Sequence, residues 1–167
     1  MLAFRPVAQN PDPQLALTSI VGVTRTLDDW TTMFNLALII LPDRPEGRAF
    51  VPVIERIYAT FGDSDVRTAV CVPSTEPVTR RILGDAADKW LVFCDPEKAL
   101  AASLGLERLP AFVHLRQDTT LVAAAQGWSP TEWQKVADEV AKSLHWTSPQ
   151  VGGRNDPPPG PGWPIAS

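Results

Sequence analysis

Three observations predict an α/β fold, with a central mixed β-sheet flanked by helices. Leu36-Ala37-Leu38-Ile39-Ile40-Leu41 is an uninterrupted apolar run stopped by Pro42, the pattern of a strand buried on both faces. Phe50, Val51, Ile54, Ile57, Tyr58 and Phe61 then recur at helical spacing, giving strand, loop, helix. Downstream, further strand-length apolar runs alternate with capped helical stretches.

The elements follow in order. Residues 1–14 carry Pro6, Pro11 and Pro13 and suit an extended arm; residues 15–25 are apolar enough for either a short helix or an edge strand. Thr26-Leu27-Asp28-Asp29 has capping-box spacing and starts a short helix through Phe34. The helix with this spacing starts near Gly47 and ends at Gly62, which suits a C-terminal cap. Residues 66–72 form a second strand, residues 76–83 a short helix with Gly84 behind it, and residues 90–94 a third strand. Asp95-Pro96 supplies an N-cap and a first-turn proline, so residues 96–104 should be helical, with Gly105 ending them. Strands over 111–116 and 121–126 flank Gln117-Asp118 as a hairpin. Ser129-Pro130-Thr131-Glu132 is a capping box for a last helix with Trp133, Val136, Ala137, Val140 and Leu144 on one face.

This divides the chain into an N-terminal arm (1–25), one α/β domain (26–146) and a Pro/Gly-rich tail (147–167). The last 21 residues hold six of the 17 prolines and four of the ten glycines. Such a composition buries too little apolar surface to order itself and predicts a disordered or polyproline-like segment.

With 44% hydrophobic and 20% charged residues in 167, the chain can bury a core as one soluble domain. A formal charge of −4, with no Lys/Arg cluster, argues against nucleic acid or anionic lipid as a main partner. Met1 to Pro6 lacks the apolar core of a signal peptide and no stretch is long enough to span a bilayer, so the cytoplasm is the expected compartment. Cys71 and Cys94 are too few and too far apart for a zinc ribbon or a disulfide scaffold. His114 and His145 have no second ligand at metal spacing, so neither a metal nor any other cofactor is expected.

The order strand, helix, strand, helix, short strand, helix, hairpin, helix resembles the thioredoxin-like superfamily, in the branch of peroxiredoxins and thioredoxin-like reductases. Pro52 matches the proline that kinks the first active-site helix; in mid-helix it would otherwise cost about 3 kcal/mol. Gly105-Leu106-Glu107-Arg108-Leu109-Pro110-Ala111-Phe112 is similar to the segment in which a cis-proline begins a central strand beside the active site, which implies a cis bond at Pro110. Gly127 sits where thioredoxins keep a glycine before the last helix. Val70 to Pro73 and Leu91 to Pro96 resemble the strand-helix unit inserted in the peroxiredoxin-like branch. The resemblance spans residues 36–144, roughly two thirds of the chain.

The departures carry equal information. In the register set by Pro52, Arg44 and Gly47 of Arg44-Pro45-Glu46-Gly47 stand on the two redox-cysteine positions, and Leu38 stands where catalytic thioredoxins bury an acid. The loop also lacks any Cys or Thr to serve as a peroxidatic centre. An arginine can neither become a nucleophile nor form a mixed disulfide, so this loop cannot exchange thiols.

Arg44 and Gly47 at a helix N-terminus form a candidate anion site; the plainer alternative is an exposed Arg44 paired with Glu46 or Asp43. Cys71 and Cys94, each near a strand end, are expected to be structural thiols, with a relocated redox pair as the alternative. Of the tryptophans near the C-terminus, Trp133 has core spacing and Trp128 follows Gly127. That leaves Trp146 and Trp163 as candidate anchors of the tail. The run Pro157 to Pro164 also has the composition of a polyproline ligand, for a partner or for this domain itself.

The resemblance therefore implies a redox-inactive thioredoxin-like module that binds a protein partner or extended peptide, in the manner of a chaperone, maturation or assembly factor. Its groove would be lined by Arg44, Pro45, Gly47, Leu109 and Pro110. Some relatives without the dicysteine motif are maturation chaperones, including those for hydrogenases. The enzymatic alternative is a thiol-disulfide oxidoreductase or peroxiredoxin-like protein using Cys71 or Cys94. A third reading is a subunit of a larger assembly, anchored through the proline-rich tail.

Overall fold

The structure, a computed structural model, describes residues 8–165 of the chain; Pro6 of the expected arm and the Met1–Pro6 stretch lie outside the described residues. Strands β1 (Ala16–Ser19), β2 (Thr24–Thr26), β3 (Asn35–Ile40), β4 (Val66–Val72), β5 (Leu91–Cys94), β7 (Ala111–Leu115) and β8 (Leu121–Gln126) form one seven-stranded sheet. Its order is β2-β1-β5-β4-β3-β7-β8. The two-residue strands β6 (Arg108–Leu109) and β9 (Trp163–Pro164) pair separately. β3, β4 and β5 run parallel, whereas β7 is antiparallel to both β3 and β8 and β1 is antiparallel to β5, so the sheet is mixed.

Both faces of the sheet are covered, which is why β3 reads as a solid apolar run. On one face, Ala37, Ile39, Val70, Val92 and Phe112 pack under helices α2 (Val51–Phe61), α3 (Glu76–Leu83) and α5 (Pro130–Leu144). On the other, Leu36, Leu38, Ile40, Cys71, Phe93 and Val113 meet α1 (Leu27–Thr31) and α4 (Ala99–Ser103). Leu38 is wholly inside this second cluster. Both N-caps form where the spacing predicts: the Thr26 hydroxyl accepts from Asp29 N at 3.2 Å and the Ser129 hydroxyl from Glu132 N at 3.2 Å.

Several local expectations are corrected. Residues 16–25, read as part of an arm, contribute β1 and most of β2; the open choice between helix and strand over 15–25 resolves to strand because β1 finds an edge on β5. Pro52 is not in mid-helix. A 3-10 helix over Pro45–Phe50 precedes α2, and Pro52 falls in the first turn of α2, where its missing N–H has no intrahelical partner to lose. α4 begins at Ala99 rather than 96, because Lys98 adopts a left-handed conformation (φ 59°). Asp95 still serves the helix: its carboxylate accepts from Leu100 N at 2.8 Å.

The tail is ordered over its described length, contrary to the composition. Val151 is completely buried against the α2/α5 cluster. Arg56 of α2 donates to the Val151 carbonyl at 2.7 Å and to both oxygens of Asp156 at 2.7 and 2.8 Å. Gln134 of α5 donates to the Pro149 carbonyl at 2.8 Å and accepts from Val151 N at 3.0 Å. The domain supplies the apolar surface and the hydrogen-bond partners that the tail lacks by itself.

Candidate functional site

The C-terminal ends of β3 and β4 open onto a surface built from three segments: the 42–50 loop, residues 108–110 and the end of the tail. Arg44 is the N-cap of the 3-10 helix, in extended backbone (φ −144°, ψ 159°) with its side chain 43% exposed. Its Nε donates to the Glu46 carboxylate at 3.1 Å, and that guanidinium holds the Glu46 carboxyl below the usual carboxylate range. Its Cζ also lies over the ring of Trp163, 4.8 Å from the centroid. The plainer reading of Arg44, paired with Glu46, is thus the one observed, with a stacking partner in addition.

Pro45 is exposed beside it, whereas Gly47 is buried. A Cβ at Gly47 would lie 2.9 Å from the Pro42 carbonyl oxygen, so packing requires glycine there. The Gly47 amide donates to the Arg44 carbonyl at 2.9 Å. That bond corrects the expectation of a free N–H facing an anion: Gly47 shapes the loop and does not line its surface.

The Leu109–Pro110 peptide is cis, and Pro110 accepts from Gly127 N at 2.8 Å. Both residues are buried. Leu109 stands opposite Trp163 and Arg108 opposite Pro164 in the antiparallel β6/β9 pair, extended by a 3.1 Å bond from Ile165 N to the Glu107 carbonyl. Pro42, Arg44, Pro73, Leu109, Trp163 and Pro164 are among the walls of a small cavity of about 110 Å³ at this junction. A larger depression, about 520 Å³, lies between Phe50, Trp128 and the run Pro157–Trp163. Arg44 and Leu109 thus share one small cavity with Trp163 and Pro164 of the tail, whereas Pro45 lines a separate depression beside Arg81 and Ile82.

Neither cysteine reaches this place. In the parallel β4/β5 register Val72 stands opposite Cys94 and Cys71 opposite Phe93, so the two thiols project from opposite faces of the sheet. Cys71 is buried among the α1/α4 cluster and Cys94 packs against the other cluster. Burial pushes the Cys71 thiol well up, with Asp95 and Cys94 adding to it. Burial also raises the Cys94 thiol, opposed by a hydrogen bond with Thr79. Both cysteines are free and both thiols are disfavoured as thiolates.

The remaining candidates are structural. His114 is fully buried on β7, with neither ring nitrogen hydrogen-bonded; burial and then the Arg116 charge push it down to about 4. His145 caps α5 in the left-handed region (φ 52°). Trp146, 42% exposed, donates from Nε1 to the Thr60 carbonyl at 2.7 Å, fastening the start of the tail to the end of α2. Among the described residues no cluster of three or more His, Cys, Asp or Glu is placed to hold a metal, and no helix is long and apolar enough to cross a membrane.

Sequence reasoning missed the Arg56–Asp156 pair and the approach of Gly127 to the tail. The spacing Gly160-Pro161-Gly162-Trp163 carried a signal, since glycines flanking one proline suit a close backbone crossing.

No family model and no curated protein matches the chain. Solved structures do. A secreted disulfide oxidoreductase of Mycobacterium tuberculosis, homologous to E. coli DsbE, superposes with a TM-score of 0.59 at 16% identity, over 77% of this chain and 96% of that one. Peroxiredoxin Q of Xanthomonas campestris does so with a TM-score of 0.60 at 13% identity, over 80% and 90% of the two chains. A hypothetical protein of Sinorhizobium meliloti 1021 reaches 0.64 at 14% identity, over 98% and 94%. Likeness at such identities is one of architecture, and in its architecture this chain has the thioredoxin-like fold.

Proposed function

We propose that the chain is a non-catalytic thioredoxin-like module that holds an extended segment of a partner protein between the 42–50 loop and residues 108–110. One observation carries this reading: Arg108–Leu109, immediately before Pro110, already takes an extended backbone in antiparallel register, that of Trp163–Pro164. Strand addition of this kind draws affinity from main-chain hydrogen bonds and selectivity from side-chain seats, and needs no cysteine. In this reading Arg44 and Leu109 flank the seat, with Pro45 and the buried Pro110 next to them in the chain and Gly47 packed inside the loop. A chaperone, maturation or assembly role is consistent with such a groove by analogy of fold alone. Two unpaired thiols suit a reducing compartment, the cytoplasm in this reading.

The oxidoreductase alternative draws on the activities named for the structural neighbours. Against it stand a 42–50 loop without cysteine and two thiols on opposite faces of the sheet. Anchorage in a larger assembly through the tail is less favoured, because residues 147–165 are fastened to their own chain.

The test is a peptide-display selection on the full chain. Enriched peptides should lose at least tenfold in affinity against Arg44→Glu. Peptides that bind that variant equally well would locate binding elsewhere and overturn the reading. Thiol-dependent reduction of insulin above background would restore the enzymatic alternative.

A further inference from the structure

The tail has two parts with different attachments. Its first part is built into the domain through buried Pro149 and Val151 and the Arg56–Asp156 pair. Its second part, residues 157–165, crosses the groove surface with most of its prolines exposed. Contact there combines main-chain hydrogen bonds with the packing of Trp163 and Ile165, both partly buried, against the two clusters. Trp128 and Gly160 exchange two backbone bonds of 2.9 Å, and Trp128 Nε1 donates to the Pro157 carbonyl at 2.8 Å.

The crossing point is a pair of glycines. A Cβ at Gly127 would lie 2.9 Å from the Pro161 carbonyl, and a Cβ at Gly162 would collide with the Leu109 carbonyl oxygen. Both glycines have positive φ, 79° and 70°, so no side chain fits either position without displacing the tail or straining the backbone. Beyond the crossing, Trp163 lies beneath Arg44 and opposite Leu109, and Pro164 follows in the strand.

We propose that residues 157–165 are a tethered, displaceable occupant of the groove, and that the outside ligand is an extended peptide carrying an aromatic residue followed by proline. The proposal rests on the binding role assigned to the groove above. The ring of the ligand takes the place of Trp163 under the Arg44 guanidinium, and its backbone pairs with residues 108–109. Proline after the aromatic residue keeps the segment extended before it binds, which lowers the ordering cost for tail and ligand alike. A tethered segment competes at an effective concentration of order millimolar. If the groove is free for about 1–10% of the time, an outside peptide binds roughly 10- to 100-fold more weakly than to an open groove. The first part of the tail stays fastened throughout, so displacement frees a short strap and leaves the core intact.

The test uses the full chain, Gly162→Ala and Trp163→Ala, with a labelled peptide of the sequence of residues 156–165 as probe. Amide exchange at Leu109 reports whether the strand is open. Both variants should exchange faster at Leu109 and bind the peptide at least tenfold more tightly than the unaltered chain. A peptide with alanine in place of its tryptophan should not bind, nor should the native peptide bind Gly162→Ala that also carries Arg44→Glu. Unchanged exchange in both variants would mark residues 157–165 as a permanent part of the fold and overturn the proposal. Faster exchange without gain in binding would overturn it as well. The two failures are separable: opened variants that bind display-selected peptides but not the tail peptide leave the groove reading standing and remove the internal competitor. Opened variants that bind neither remove both.

Discussion

Arg44 lies over Trp163, Cζ to ring centroid 4.8 Å, while its Nε remains paired with Glu46 at 3.1 Å. One guanidinium thus joins the 42–50 loop to the chain's own tail. An exposed ion pair contributes little alone, and a cation over a tryptophan at a half-exposed site contributes about 0.5–1 kcal/mol. Arg44→Ala is therefore expected to leave the thermal midpoint nearly unchanged while raising exchange at the Leu109 amide severalfold. A fall in midpoint as large as that of a core substitution would mean that Arg44 supports the fold rather than the strap.

The Arg56–Asp156 pair should behave differently. Asp156 is 8% exposed at its side chain, and Arg56 also satisfies the Val151 carbonyl at 2.7 Å. Arg56→Ala leaves the nearly buried Asp156 carboxylate with the Gly153 amide at 2.6 Å but without its counter-charge, and takes the Arg56 donors from the Val151 carbonyl, so we expect a loss of about 2–4 kcal/mol by denaturant titration. Asp156→Asn keeps an acceptor for Arg56 and should lose clearly less. Equal losses would show that charge, not unmet hydrogen bonding, sets the cost.

His114 makes stability fall in acid. Its folded pKa of about 4 lies below the ordinary 6.5, so the folded state binds the proton less readily than the unfolded chain. The contribution is intact above pH 6.5 and is lost as pH falls from 6.5 toward 4, by roughly 3 kcal/mol in all. His114→Leu should flatten the stability profile over that window. A variant with the same slope as the unaltered chain would assign the acid sensitivity to other groups.

The cysteines should be inert. Cys71 is 1% exposed and both thiols are raised by burial. An aromatic disulfide reagent should modify Cys94 slowly and Cys71 only on unfolding, and mild oxidation should yield no intrachain disulfide. Recovery of a Cys71–Cys94 crosslink from folded protein would contradict the opposite-face register.

Much of the fold was legible because its signals are local. The apolar run of β3, the two capping boxes and the spacing of α2 and α5 are set by burial and by nearby hydrogen bonds; β3 and α5 appear within two residues of their expected bounds, whereas α1 ends at Thr31 rather than Phe34 and α2 begins at Val51 rather than near Gly47. The helix after Asp95 started late because Lys98 takes a left-handed turn that no neighbouring glycine announces. Pro52 reads as a mid-helix kink because the sequence does not show that Gly47 packs against both the Pro42 carbonyl oxygen and the distant Ile82, within the 3-10 turn that precedes α2.

By itself the amino-acid order determined the α/β layering and a 42–50 loop without cysteine, since periodicity and side-chain chemistry are properties of the chain. Tertiary structure decided that Cys71 and Cys94 face apart, that His114 is sealed in without partners, and that the proline-rich end lies on Leu109. Strand parity, solvent exclusion and the meeting of residues more than fifty positions apart exist only once the sheet has closed.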